Sequence, residues 1–256
     1  MAQLIKLQDY VSRYEKDLSE YSSKFVRLKK RRWQAIVNSM GQRVGTNTGL
    51  AKAETGLKQS FLDKLYLSQI QWASTTITER SFVQSTYYTD KRLRDLLQRF
   101  PDSFFVMYKP VLRFEKTEVE LEALLLTPST IFCLAFLNGA EGAVYFGSSA
   151  HFWMNAADTG DKVLNPLISA NRIFKVVSRI FRENGVELPI QRAVIAENSY
   201  MDYPNGPHDI LFIDKRNYES WRRNLAKLRS PVKSMQMRGA KALLESSLTR
   251  SIKRTK

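Results

Sequence analysis

Glu118, Glu120 and Glu122 alternate along the segment TEVELEALLL, residues 117–126, so in an extended chain their carboxylates fall on one side. Carboxylates so placed are of the kind that hold Mg²⁺ through oxygen ligands and lower the pKa of a bound water for hydrolysis. Lys109 and Lys116 are the cations that could swing toward them. The same alternation also describes the solvent side of a half-exposed strand, which is the simpler account. Past the turn Thr127-Pro128-Ser129, a second apolar run begins, and its residues Ile131, Cys133, Ala135 and Leu137 share one face without a charge.

Two basic groups could do different chemistry. Lys29-Lys30-Arg31-Arg32 is followed by Trp33, a cluster that could hold phosphates while the indole stacks on a base. Cations at a helix C-terminus are also favoured by the helix dipole alone, the plainer explanation. Farther on, Arg172, Lys175, Arg179 and Arg182 recur at spacings of three and four, which makes a stripe along one helical face. That stripe fits a phosphate backbone, and it equally fits an ordinary solvated face.

The elements that must position these groups can be read from periodicity. Residues 1–40 contain no proline, and Leu4, Leu7, Val11, Tyr14, Leu18, Tyr21, Phe25 and Leu28 recur at alternating spacings of three and four, which predicts one amphipathic helix. Its seam can pack on the rest of the chain or, as residues 4–28, on a protein partner or second copy. The glycine-rich stretch Gly41–Gly49 reads as a linker. Helices are expected over 50–71 and 90–99. Strands are expected over 103–109, 111–115, 119–127, 131–137, 143–147, 190–196 and 210–213. Asn165-Pro166 supplies an N-cap and a first-turn proline for a helix that Gly185 closes. From Lys215 onward the chain reads as helical and basic.

A chain of 256 residues buries one core of ordinary size with appendages. Its formal charge is +15, carried at the ends: +5 over residues 1–35, +11 over 215–256 and −1 between. Such ends argue for an anionic partner, nucleic acid or a membrane surface, or simply for solubility. The only cysteine, Cys133, sits in the most apolar run and is expected to behave as a small hydrophobe. The start MAQLIKLQDYV has no secretory pattern, so the expected location is cytoplasmic. The apolar stretch 123–137 is interrupted by Thr-Pro-Ser-Thr and is shorter than the about 20 residues of a membrane span, so no integral membrane segment is expected.

Ala53 to Asn171 resembles the nuclease-related domain (NERD) family, within the PD-(D/E)xK restriction-endonuclease-like superfamily. The resemblance rests on Glu54, where the family has Gly-Glu, and on the hairpin from Glu120-Leu121-Glu122 through Thr127-Pro128-Ser129-Thr130-Ile131-Phe132. It extends to Gly142-Ala143-Val144-Tyr145, to Trp153, and to Asn165-Pro166 followed by Asn171. It implies an α/β fold with a restriction-endonuclease-like core, a mixed central sheet flanked by helices, and helical extensions at both termini. The implied division is 1–45 helical extension and linker, 46–214 nuclease-related domain, and 215–256 basic helical extension. In that superfamily an acid on one strand and a Glu-x-Lys on the next hold a divalent cation and hydrolyse a phosphodiester.

The family's acid aligns with Glu122, its Glu-x-Lys with Ala135-Phe136-Leu137, and the glutamine of its NP pattern with Ala170. A methyl and an isobutyl group can neither bind a metal nor stabilise an anion. The resemblance therefore implies a non-catalytic relative with vestigial Glu54 and Glu122 and degenerate Ala135 and Leu137, without a cofactor. Binding of DNA or RNA would fall to Lys29, Lys30, Arg31, Arg32, Arg172, Lys175, Arg179 and Arg182. Two alternatives stand beside this: a protein-interaction scaffold using the N-terminal seam, and a nuclease with a rearranged Mg²⁺ site built on Glu54 and Glu122. The basic C-terminal segment could also lie on anionic lipid, and its apolar residues Leu228, Val232, Met235, Leu243, Leu244, Leu248 and Ile252 could equally pack on the domain.

Overall fold

The computed structural model describes residues 1–41, 50–157, 160–228 and 230–254, with the side chains of residues 40, 41 and 50–54 outside that description. The chain begins with β1 (Gln3–Leu7), a 3-10 turn at Arg13–Glu15, and the helices α1 (Leu18–Gly41) and α2 (Leu50–Trp72). The short β2 (Glu79–Arg80) and helix α3 (Lys91–Gln98) lead into β3 (Phe105–Tyr108). A hairpin of β4 (Val111–Phe114) and β5 (Thr117–Glu120) follows, then β6 (Ala123–Leu126) and β7 (Ile131–Phe136). Three short strands, β8 (Val144–Phe146), β9 (Phe152–Asn155) and β10 (Lys162–Leu164), precede α4 (Pro166–Glu183). The remainder is β11 (Ile190–Ala196), β12 (Tyr200–Asp202), β13 (Ile210–Asp214), α5 (Tyr218–Ala226), α6 (Ser234–Glu245) and β14 (Ile252–Lys253).

The central sheet has the order β1-β3-β6-β7-β11-β13. β3, β6 and β7 form an antiparallel meander, and α4 then crosses to β11, which lies parallel to β7. Both faces are covered, as a mixed sheet with near-continuous apolar strands requires. One face packs Leu124, Cys133 and Ala135 against Ala170, Ile173 and Val177 of α4 and Leu243 of α6. The other packs Leu125, Leu134 and Phe136 with Leu65 and Ile70 of α2, Leu93 and Leu97 of α3, and Leu225 of α5. Cys133 is fully buried in the first core, which fits its expected role as a small hydrophobe, and burial raises its thiol pKa. No described helix is long and apolar enough to cross a membrane.

Two expectations for the termini are corrected. Residues 1–40 are not one helix, because Gln3–Leu7 is an edge strand running parallel to β3 and buried at every position. The strand takes its partners from a segment about a hundred residues away: the Gln3 amide donates to the Phe104 carbonyl at 2.9 Å and the Gln8 amide to the Tyr108 carbonyl at 3.0 Å. Ser12 and Glu15 then cap the 3-10 turn reciprocally, and the long helix starts only at Leu18. Strand, turn and helix all deliver their apolar residues to this chain's own core: Leu4, Leu7, Val11, Tyr14, Leu18 and Phe25 are buried. The seam over residues 4–28 is therefore occupied internally and leaves no continuous stripe for a partner.

The basic C-terminal segment is likewise built into the fold rather than appended to it. Pro231 separates α5 from α6, since proline is disfavoured inside a helix. Gln236 of α6 is fully buried and donates from Nε2 to the carbonyls of Ser103 at 2.7 Å and Leu126 at 3.0 Å. β14 pairs with β2. With its apolar residues Leu243 and Leu244 in the core, the apolar face of α6 is packed on the fold and its exposed side carries Arg238, Lys241 and Glu245.

Burial raises the pKa of Tyr14, Tyr66, Tyr87, Tyr108 and Tyr218 above the ordinary tyrosine value. As pH rises past about 10 the unfolded chain releases protons that the folded one keeps, so stability falls, by about 1.4 kcal/mol per group per pH unit. Lys6, whose pKa burial lowers, acts oppositely over the range up to its ordinary value, but it is one group against five. Circular dichroism from pH 8 upward is expected to show cooperative unfolding that sets in above about pH 10.

Candidate functional site

The end of the β6–β7 pair is where the family's catalytic edge would lie. Ladder pairing between these strands runs from Leu126 opposite Ile131 to Ala123 opposite Leu134, which leaves the Phe136 amide two residues beyond the last pair. The Glu122 side chain fills that gap: Oε2 accepts from the Phe136 N–H at 2.8 Å. Its own carbonyl accepts from the Lys109 amide at 2.7 Å, with Lys109 in the left-handed region at φ 48°. Glu122 thus serves as a surrogate strand partner.

Ala135 and Leu137 point to the α4 side and are 0% and 5% exposed. Around the strand end, the Tyr145 ring presses on Gly139, where a Cβ would come within 2.2 Å of it. The Tyr145 hydroxyl accepts from the Ala140 amide at 2.9 Å and donates to Asp161 Oδ2 at 3.0 Å. Asn165 caps α4, accepting from the Leu167 amide at 2.9 Å, while its Nδ2 donates to the carbonyls of Ser148 and Ala150 at 3.1 and 2.8 Å. The Asn165-Pro166 motif is a helix start tied to a loop. Asn171 accepts from the Arg192 guanidinium, and Ala170 is fully buried.

The residues present do not fit a divalent cation at this edge. Glu122 offers one carboxylate already engaged by backbone, and Ala135 and Leu137 offer no donor atom. Glu118 and Glu120 do not continue the central sheet as expected: a break at residues 121–122 puts them on β5, paired with β4, and Glu118 accepts from Arg250 at 2.9 Å. No group of three or more metal-ligating side chains occurs among the described residues. The Glu54 side chain lies outside the described residues.

The basic groups separate into paired and unpaired cations. Lys29 is bound to Asp102 at 2.5 Å. On α4, Arg179 contacts Glu115 at 2.5 Å and Glu183 at 2.7 Å, so the middle of the stripe is neutralised, leaving Arg172, Lys175 and Arg182 exposed around it. Lys30 is exposed on α1. Arg31 and Arg32, by contrast, line a cleft of about 750 Å³ together with Arg13, Lys24, Arg27 and Arg254.

This cleft holds six cations and no carboxylate among its lining residues. Arg27 and Arg31 have no ion-pair partner among the described residues. Arg13 lies over the Trp72 ring, 5.2 Å from its centroid, and donates from Nε to the Thr75 carbonyl at 3.1 Å. Arg254 reaches the same hairpin through its backbone amide, which donates to the Thr78 carbonyl at 2.8 Å. Lys24 bonds Glu20 on its own helix, and that bond raises the ammonium pKa. Arg13, Lys24, Arg27 and Arg254 were missed by counting runs of charge. The signal for the helical part was present, since Lys24, Arg27 and Arg31 stand at spacings of three and four.

On the opposite side of the sheet, Glu197 stands 3.9 Å from Arg92, with its pKa raised by burial against the pull of that arginine. Arg92 is held over the Phe136 ring at 4.0 Å and donates to Asn138 Oδ1 at 2.9 Å. These contacts fasten α3 to the ends of β7 and β11.

Comparison of the chain with protein-family models, with curated proteins and with solved structures finds no match.

Proposed function

We propose that this chain is a non-catalytic nuclease-related domain that binds nucleic acid through the basic cleft beside α1. The observation that carries the reading is the cleft itself: six cations with no carboxylate in the lining, of which only Lys24 is ion-paired among the described residues, beside aromatic rings. Uncompensated cations in a concavity focus positive potential and attract polyanions. Supporting the nuclease kinship is the order of elements: helices, the meander β3-β6-β7, α4, and β11 parallel to β7. Glu122 stands beside two apolar side chains at the positions where the superfamily keeps Glu-x-Lys.

Neither alternative gathers comparable support. A rearranged metal site has only the backbone-bound Glu122 in view, and six of the eight seam residues between 4 and 28 are buried in this chain's own core. The reading is tested by anisotropy of a labelled oligonucleotide from about 50 to 200 mM salt, the range over which phosphate contacts weaken steeply. Tight binding at the low end, with a linear log-log decline, is expected. No binding at about 50 mM, where such contacts remain strong, sinks it.

A further inference from the structure

Resting on the reading above, the shape and lining of the cleft carry it one step further. Its floor is apolar: the Tyr21 and Trp72 rings meet edge to face at 5.8 Å, and Leu28 lies beside them. Arg13 lies over the Trp72 ring and Lys24 over the Tyr21 ring, at 5.2 and 5.0 Å from the centroids, while Arg27, Arg31 and Arg254 are exposed. On the hairpin that carries Thr75 and Arg80, Ile77 is 80% exposed and also lines the cleft. An isoleucine so exposed beside arginines gains nothing from water, and its burial would need an apolar surface on whatever enters.

We infer that the cleft takes single-stranded nucleic acid in preference to duplex. A duplex keeps its base faces stacked inside and offers a recessed surface only charged phosphodiester ridges, so the floor and Ile77 would stay wet or be covered by phosphate. A single strand has both components that the cleft matches: base faces for Leu28 and the exposed Ile77, and phosphates for Arg27, Arg31 and Arg254. Base stacking on side chains tolerates any sequence, because every base has an apolar face. Recognition is therefore by strandedness, with weak dependence on base identity.

The test titrates the full chain with a labelled 12-nucleotide oligo-dT and with a 12-base-pair duplex under the same salt, and repeats both with Ile77→Ser and with Arg27→Gln/Arg31→Gln. The single strand is expected to bind at least about tenfold tighter, in line with one to a few stacked bases. Ile77→Ser, a change at an exposed side chain, should weaken the single strand several-fold without altering its salt slope. The arginine pair should lower the slope. Equal or tighter binding of duplex overturns the single-strand inference and leaves nucleic-acid binding standing, as does an Ile77→Ser variant with unchanged affinity. Binding of neither oligonucleotide, or capture only by vesicles of phosphatidylglycerol, overturns both.

Discussion

Introducing glutamate at Ala135 together with lysine at Leu137 is expected to destabilise the protein by about 4 kcal/mol or more and to confer no cleavage of DNA with Mg²⁺, because the carboxylate would enter a packed core. Ala135 is fully buried and its face packs on α4 beside Ala170 and Ile173. Glutamate brings both extra volume and a charge with no preformed partner. Leu137→Lys alone should be milder, since the position lies at the strand end and a lysine stem can run along apolar surface while its ammonium reaches water. Thermal unfolding of the two single variants and the double separates these contributions. A double variant that melts like the unsubstituted protein, or that cuts DNA, would mean that the strand end is a vacant nuclease site.

The second large effect concerns Lys6. It lies in β1 with no exposure, and its ammonium donates to the Tyr10 carbonyl at 2.8 Å, to Thr249 Oγ1 at 2.7 Å and to Glu15. One side chain thus ties the edge strand to the 3-10 turn and to the segment before β14. Replacement by alanine leaves Glu15 and two polar groups without their shared donor, and loss of one partner from a buried ion pair costs about 3–5 kcal/mol. Lys6→Met, which keeps the volume, still leaves those acceptors unpaired, and Lys6→Met/Glu15→Leu should recover only part of the loss, because Glu15 also caps the 3-10 turn. Denaturant unfolding of the three variants measures this. A Lys6→Ala protein within about 1 kcal/mol of the parent, the range of an exposed pair, would show that the contact is incidental.

The segments that sequence made legible are those governed by neighbours along the chain. The Thr127-Pro128-Ser129-Thr130 turn marks the β6–β7 hairpin, with the Thr127 hydroxyl accepting from the Thr130 amide at 3.1 Å. Asn165-Pro166 marks the start of α4, and Gly185, at φ 59°, follows its end. β1 was hidden because its partner strand is remote and because buried residues from a strand, a turn and a helix happened to fall at spacings of three and four. Ser12 and Glu15 were the local sign of a boundary inside that supposed helix. Likewise, Val119–Thr127 read as one strand, whereas the chain leaves the β4–β5 hairpin at Glu120 and joins the central sheet at Ala123.

The site was legible in part for the same reason. That Ala135 and Leu137 share an uncharged face of the second strand could be read from the period-two pattern, and both are buried toward α4. Which cations remain free could not, because the partners of Lys29 and Arg179 come from Asp102 and Glu115, far away in sequence. Tyr21 and Leu28 carried the seam pattern, yet both line the cleft instead of disappearing into the core. Arg13 and Arg254 reach it from opposite ends of the chain.

If the cleft and not the stripe on α4 holds nucleic acid, as proposed, two charge-removal variants must differ in the salt dependence of oligonucleotide binding. Arg27→Gln/Arg31→Gln is expected to reduce the log-log slope by about two, roughly one for each phosphate that is no longer neutralised, while Arg172→Gln/Lys175→Gln leaves slope and affinity unchanged. A slope that falls for the α4 pair and stays constant for the cleft pair would contradict the account.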